Sequence, residues 1–159
     1  MLKLFQLNKQ VKSFLKINNR DKLLFVEAFI FCGIARLIVL LIPFNRIKKH
    51  IGTYNKESSF DIETSQYKLI RKIAWAVNRA SKVTPWESKC LVQALIAQKI
   101  LKNNNIYSTL YLGIAKAGEK EIRAHAWLRS GAMIVTGGYE KNNFKEVAKF
   151  SNEIKITTA

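Results

Sequence analysis

The sequence predicts an α+β fold in which a cysteine-bearing helix packs on a small antiparallel sheet, preceded by an N-terminal helical region. Three observations predict it. Apolar residues recur at helical spacing up to the break at Asn103, Asn104 and Asn105. Beyond that break the period becomes the alternation of strands, interrupted by glycine turns. With 159 residues the chain has room for one domain with a real core, and no linker-like stretch divides it. A helical region over 1–62 and a core over 63–159 are expected to form one compact unit.

In chain order, residues 1–20 place Leu4, Leu7, Val11, Phe14 and Leu15 on one helical face, with Lys3, Lys9, Lys12 and Lys16 largely off it. This is a basic amphipathic helix, packed on its own domain or docked on an anionic membrane or a partner. Asp21 is the expected cap of a second helix, running through LLFVEAFIFCGIARLIVLLI to Pro43 and long enough to cross a bilayer. Glu27 and Arg36 stand on opposite faces of it, so no single polar seam hides both. Each would cost about 2.5–3.5 kcal/mol at the bilayer centre. A buried or hairpin-paired helix is therefore expected over 23–42, with membrane-surface contact as the second reading.

Pro43 stops that helix, and FNRIKKHIG forms a short basic one ending at Gly52. His50, among lysines, reads as a solvated surface histidine. TYNKESSFDIE is polar and loop-like, and from Thr64 the spacing of Tyr67, Ile70, Ile73, Ala74 and Val77 predicts a helix to about Lys82. Thr84, Pro85, Trp86 and Glu87 match a capping box, so the next helix starts there or at Ser88. It carries Cys90, Leu91, Ala94, Leu95 and Leu101. The strands are YSTLYLGIA, IRAHAWLR and AMIVTG, joined by turns at Gly118 and at Ser130 and Gly131, and 144–150 is expected as a last short helix.

Lysine and arginine number 27 against 11 acids, a net charge of +16 that favours anionic partners. Cys32 and Cys90 are far apart with no secretory signal ahead of them, so a reducing cytoplasm fits better than a disulfide framework. Two cysteines and two histidines without ligand spacing give little support to a metal site, and Gly137-Gly138 lacks the rest of a phosphate-binding motif, so no cofactor is expected. A basic stripe interleaved with stacking aromatics is missing, which argues against specific nucleic-acid binding.

The chemistry lies in Cys90 and His125. A helix start and a nearby imidazole both favour the thiolate, and a thiol in the first helical turn feels the dipole most. A backbone N–H at Cys90 can serve an oxyanion, because first-turn amides have no partner within the helix. His125 sits between Ala124, Ala126 and Trp127 on a half-buried strand. A two-residue loop at Ser130 and Gly131 pairs Arg129 with Ala132 and sets His125 opposite Thr136, which makes Thr136 the candidate third residue. A more distant acid, Asp61, Glu87 or Glu140, is the alternative, as is a bare dyad. Trp86 and Trp127 are candidates for the walls of a cleft, or for simple core.

The segments PWESKCLVQALIAQKIL, STLYLGIAK, AHAWL and IVTGG, preceded by LLFVEAF and IARLIVLLIPF, resemble the lasso peptide biosynthesis B protein in its separate-chain, leader peptidase form. The resemblance spans about residues 20–150. It implies a papain- or transglutaminase-like core and a cysteine protease that removes the leader of a ribosomal precursor. It also implies a leader-recognition protein and an asparagine-synthetase-like, ATP-using cyclase as partners. Cys90 carries over as nucleophile and His125 as general base and then acid. The family's third residue is an aspartate after the histidine, where this chain has Ala132 and Thr136. A degenerate basic scaffold that holds precursor and partners is the alternative from the binding class, and a basic membrane-surface or nucleic-acid protein is the third.

Overall fold

Helix α1 (Asn19–Leu41) opens the described part of a computed structural model, which covers residues 17–118 and 121–152. The basic amphipathic helix expected over 1–20 lies almost wholly outside that range. The side chain of Asn18, not of Asp21, caps α1 by accepting from the Arg20 N–H. Asp21 instead sits in the first turn, where a carboxylate suits the helix dipole, and pairs with Lys72 at 2.6 Å. Pro43 ends α1, and α2 (Phe44–Ile51) follows, closing at Gly52. His50 is exposed, its Nδ1 donating to the Arg46 carbonyl.

α3 (Thr64–Val83) buries Ile70, Ile73, Ala76, Val77 and Ala80 along one face, as its spacing predicted. α4 (Cys90–Asn103) is buried nearly all round: Val92, Ala94, Ile96, Ala97, Ile100 and Leu101 are each at most 1% exposed. It lies between the sheet on one side and α1 and α3 on the other. Each of its large aliphatic side chains contributes about 1.5–3 kcal/mol by leaving water. The helix starts later than the capping box implied. Thr84 closes α3 instead, its hydroxyl donating to the Ser81 carbonyl and meeting the Ser88 hydroxyl, which leaves Lys89 at the N-cap.

The sheet runs β1-β5-β2-β3-β4, antiparallel throughout. Its strands are β1 (Thr53–Tyr54), β2 (Thr109–Lys116), β3 (Ile122–Ser130), β4 (Met133–Thr136) and β5 (Lys145–Ser151). β1 falls inside the segment read as loop, and it pairs Thr53 and Tyr54 with β5 at the edge of the sheet. β5 replaces the short helix expected over 144–150. Its lysines, glutamate and alanine suit a helix, but β2 offers a row of unpaired backbone groups that β5 satisfies from Thr109 to Ile114.

Alternation on β3 sends Ala126 and Leu128 to the core shared with the helices, and Trp127 to the other face. There Trp127 stacks on its cross-strand partner Tyr111, with centroids 5.5 Å apart, beside Phe144.

Candidate active site

Cys90 is the first residue of α4, so its N–H is one of the donors without an acceptor inside the helix. It is half-buried, whereas Cys32 is fully buried in the core. Burial pushes the Cys32 thiol up from its usual range, and the Ser88 hydroxyl only partly opposes this. Of the two thiols, Cys90 therefore has both the access and the local dipole that a nucleophile requires.

His125 comes from β3 beyond the point where β4 ends. The two strands pair Ser130 with Met133 and Arg129 with Ile134, and a bulge then sets Leu128 across from Thr136. The loop residues are thus Gly131 and Ala132, not Ser130 and Gly131. Gly131 takes the left-handed conformation (φ 54°) that a tight turn needs. The expected His125–Thr136 pairing is overturned: the shifted loop and the bulge move Thr136 three residues along β3. Thr136 Oγ1 is buried without a hydrogen-bond partner.

The group that meets the imidazole is the main chain at Gly137. His125 Nε2 lies 2.8 Å from the Gly137 carbonyl, and since a carbonyl only accepts, Nε2 is the protonated nitrogen. In the neutral ring this tautomer leaves Nδ1 as the atom that can accept a proton. Gly137 reaches this position with φ 71°, its Cα so close to the Ala126 carbonyl and to Trp127 that a Cβ would collide with both. The ring also stacks on Phe144, with centroids 4.8 Å apart.

Cys90 and His125 line one cavity of about 410 Å³, together with Asn78 of α3, Gln93 of α4, Thr136, and the segment from Gly137 to Glu140. Cys90 and His125 both line this space with no hydrogen bond between thiol and imidazole, and the ring stacks on Trp127 and Phe144, on the face of β3 opposite the one Ala126 and Leu128 present to the helices. Among the three acids considered from the sequence, Glu140 lines the cavity, with Arg123 3.5 Å away. Asp61 and Glu87 do not line it, and Glu87 is engaged by Lys89 and Arg36. Neither Trp86 nor Trp127 walls the cavity. Trp86 packs on Phe29 and over Gly33, and Trp127 lies beneath His125 in the Tyr111 stack.

Gln93, three residues after Cys90, was readable as its neighbour on one helix face. Its amide donates to the Ser88 carbonyl at 2.8 Å, which ties the approach loop to the helix start. Asn78 carried no signal in the sequence, because only packing of α3 beside α4 brings it there. No cluster of metal-ligating side chains occurs among the described residues.

The model of the transglutaminase-like superfamily matches residues 35–149, and the chain belongs to that superfamily. The match takes in Cys90, His125 and the whole lining of the cavity. No curated protein and no solved structure matches.

Proposed function

We propose that the chain is a cytoplasmic cysteine peptidase that removes the leader from a lasso peptide precursor. The observation that carries this reading is that a cysteine at a helix start and a histidine oriented by the Gly137 carbonyl line one cavity. The residue-level resemblance to the separate-chain lasso B protein supplies the substrate. A leader-recognition protein and an asparagine-synthetase-like cyclase are the proposed partners.

In this mechanism Nδ1 of His125 takes the Cys90 proton, and the thiolate attacks the scissile carbonyl carbon. The oxyanion forms against the free first-turn N–H at Cys90. The imidazolium then protonates the leaving amine, the C–N bond breaks, and the core peptide departs, leaving the leader as a thioester. Water, deprotonated by Nδ1, releases the leader as a carboxylate. The Gly137 carbonyl keeps the ring oriented throughout, in the place where a carboxylate would also stabilise the imidazolium.

Incubating the full chain, its recognition partner and the precursor, with mass spectrometry as readout, tests this directly. Cys90→Ala is expected to lower leader removal by at least about a thousandfold without loss of folding. Cleavage at the normal rate by that variant would refute the assignment. The lack of a carboxylate on His125 favours one second reading, a binding scaffold with a degenerate site. That reading requires iodoacetamide to label Cys90 no faster than an ordinary exposed thiol.

A further inference from the structure

The outer face of α1 is apolar along its whole length. Leu23, Val26, Ile30, Ile34, Leu37 and Leu41 recur at steps of three and four, and each is 47–77% exposed. Over 18 rises the stripe is about 27 Å long. Directly opposite it, Ala28, Cys32 and Ala35 are buried against the rest of the molecule. The expectation of a buried helix over 23–42 is thus met on one side only.

The distribution of charge around the stripe says what covers it. All charged residues of α1 except Arg36 fall at or before Glu27, and Arg36 is turned toward Glu87 at 3.7 Å. From Ala28 to Ile42 the exposed arc holds no charge, and the next exposed residues in α2 include Arg46, Lys48 and Lys49. A protein seam needs an apolar line with polar flanks, whereas here most of the exposed arc is aliphatic, and α1 has a mean hydropathy of 2.4 over its most apolar window.

Beside the C-terminal half of the stripe lies an apolar groove of about 630 Å³ between α1, α2 and α4. Its titratable lining residues are Arg46, His50, Lys99 and Lys102, with no carboxylate among them. The sequence leading into α1 repeats the chemistry, with Lys3, Lys9, Lys12 and Lys16 interleaved with Leu4, Leu7, Val11 and Phe14.

We propose that α1 and the adjoining groove are a docking surface for a bilayer rich in anionic lipid. The helix lies in the plane of the membrane, because its inner face is held by α3 and α4, and α3 exposes Lys68, Arg71 and other polar groups that a bilayer interior would not accept. The aliphatic stripe enters the boundary between headgroups and acyl chains, and the basic rim sits at the level of the phosphates. This holds whether or not Cys90 is catalytic.

Flotation of the full chain with vesicles tests the surface without reference to activity. Vesicles of phosphatidylcholine with about a third phosphatidylglycerol are expected to carry the chain up, and pure phosphatidylcholine at least about tenfold less. High salt should weaken the first, since it screens the rim. The double substitution Ile30→Glu with Leu37→Glu should abolish flotation while melting as the parent does. Lys48→Glu with Lys49→Glu should weaken it, as a second probe that leaves the stripe intact. Ile122→Glu, at an equally exposed apolar position on β3, should bind as the parent. Absence of flotation, or flotation undiminished by both double substitutions, overturns the proposal. So does self-association through the stripe in place of lipid binding.

Discussion

Strand β3 carries two polar residues four positions apart whose surroundings are opposite. Arg129 is 5% exposed, yet nearly every donor of its guanidinium is used. Nε donates to the Tyr111 hydroxyl at 2.9 Å, Nη1 to the Gly131 carbonyl at 2.7 Å and Nη2 to the Ser58 carbonyl at 2.8 Å. The Phe60 ring covers its face, 3.7 Å from centroid to Cζ. Glu57 stands at its edge, its carboxyl held below the usual range first by a hydrogen bond from Lys149, with Arg129 a smaller contributor. At the other end of the strand His125 has one hydrogen bond and opens on a cavity, with the unpartnered Thr136 hydroxyl close by.

The contrast separates a polar group used to hold the fold from one left available for chemistry. Arg129 pins the loop after β1 and the β3–β4 turn to the sheet. A charge so deeply placed is tolerated because its hydrogen bonds are satisfied. His125 is held just enough to fix its tautomer.

The comparison can be broken most forcefully at Arg129. Arg129→Met takes the guanidinium donors from the Ser58 and Gly131 carbonyls and leaves the Tyr111 hydroxyl only its bond to Glu57, and is expected to cost about 3–5 kcal/mol in urea unfolding. A loss under about 1 kcal/mol would mean that water replaces the guanidinium and that the anchor is ornamental.

Gly137→Ala is the next step down. A Cβ there strains the left-handed backbone and collides with the Ala126 carbonyl, so about 1–3 kcal/mol of stability should go. The same change displaces the carbonyl that orients His125, and proposed leader cleavage should fall by about ten- to a hundredfold. Cleavage at the parental rate in a folded Gly137→Ala protein would show that the carbonyl does not set the imidazole.

Thr136→Val should do least. It removes a buried hydroxyl without a partner, so stability should hold or rise by up to about 1 kcal/mol. Cleavage is expected within about threefold of the parent, as the hydroxyl does not hold the ring. A large fall in rate would restore Thr136 to the third position that strand counting from the wrong loop assigned to it.

Much of this was legible from local pattern. The spacing of Ile70, Ile73 and Val77 encodes α3, Pro43 and Gly52 bracket α2, and the change of period after Asn105 announces β2 and β3, because each is a property of neighbours along the chain. Cys90 at a helix start and His125 on a strand are of the same kind. Tertiary structure alone decided the rest. β5 is a strand because β2 needed a partner, and the His125 register followed from a bulge that two strands make together. The Gly137 carbonyl reaches the imidazole through a backbone that no side-chain pattern reports. The outer side of α1 is exposed because small residues on its other face let α3 and α4 approach there, while nothing among the described residues covers the aliphatic stripe. Local periodicity tells which faces are apolar; the free energy of pairing between distant segments chooses which of them are buried.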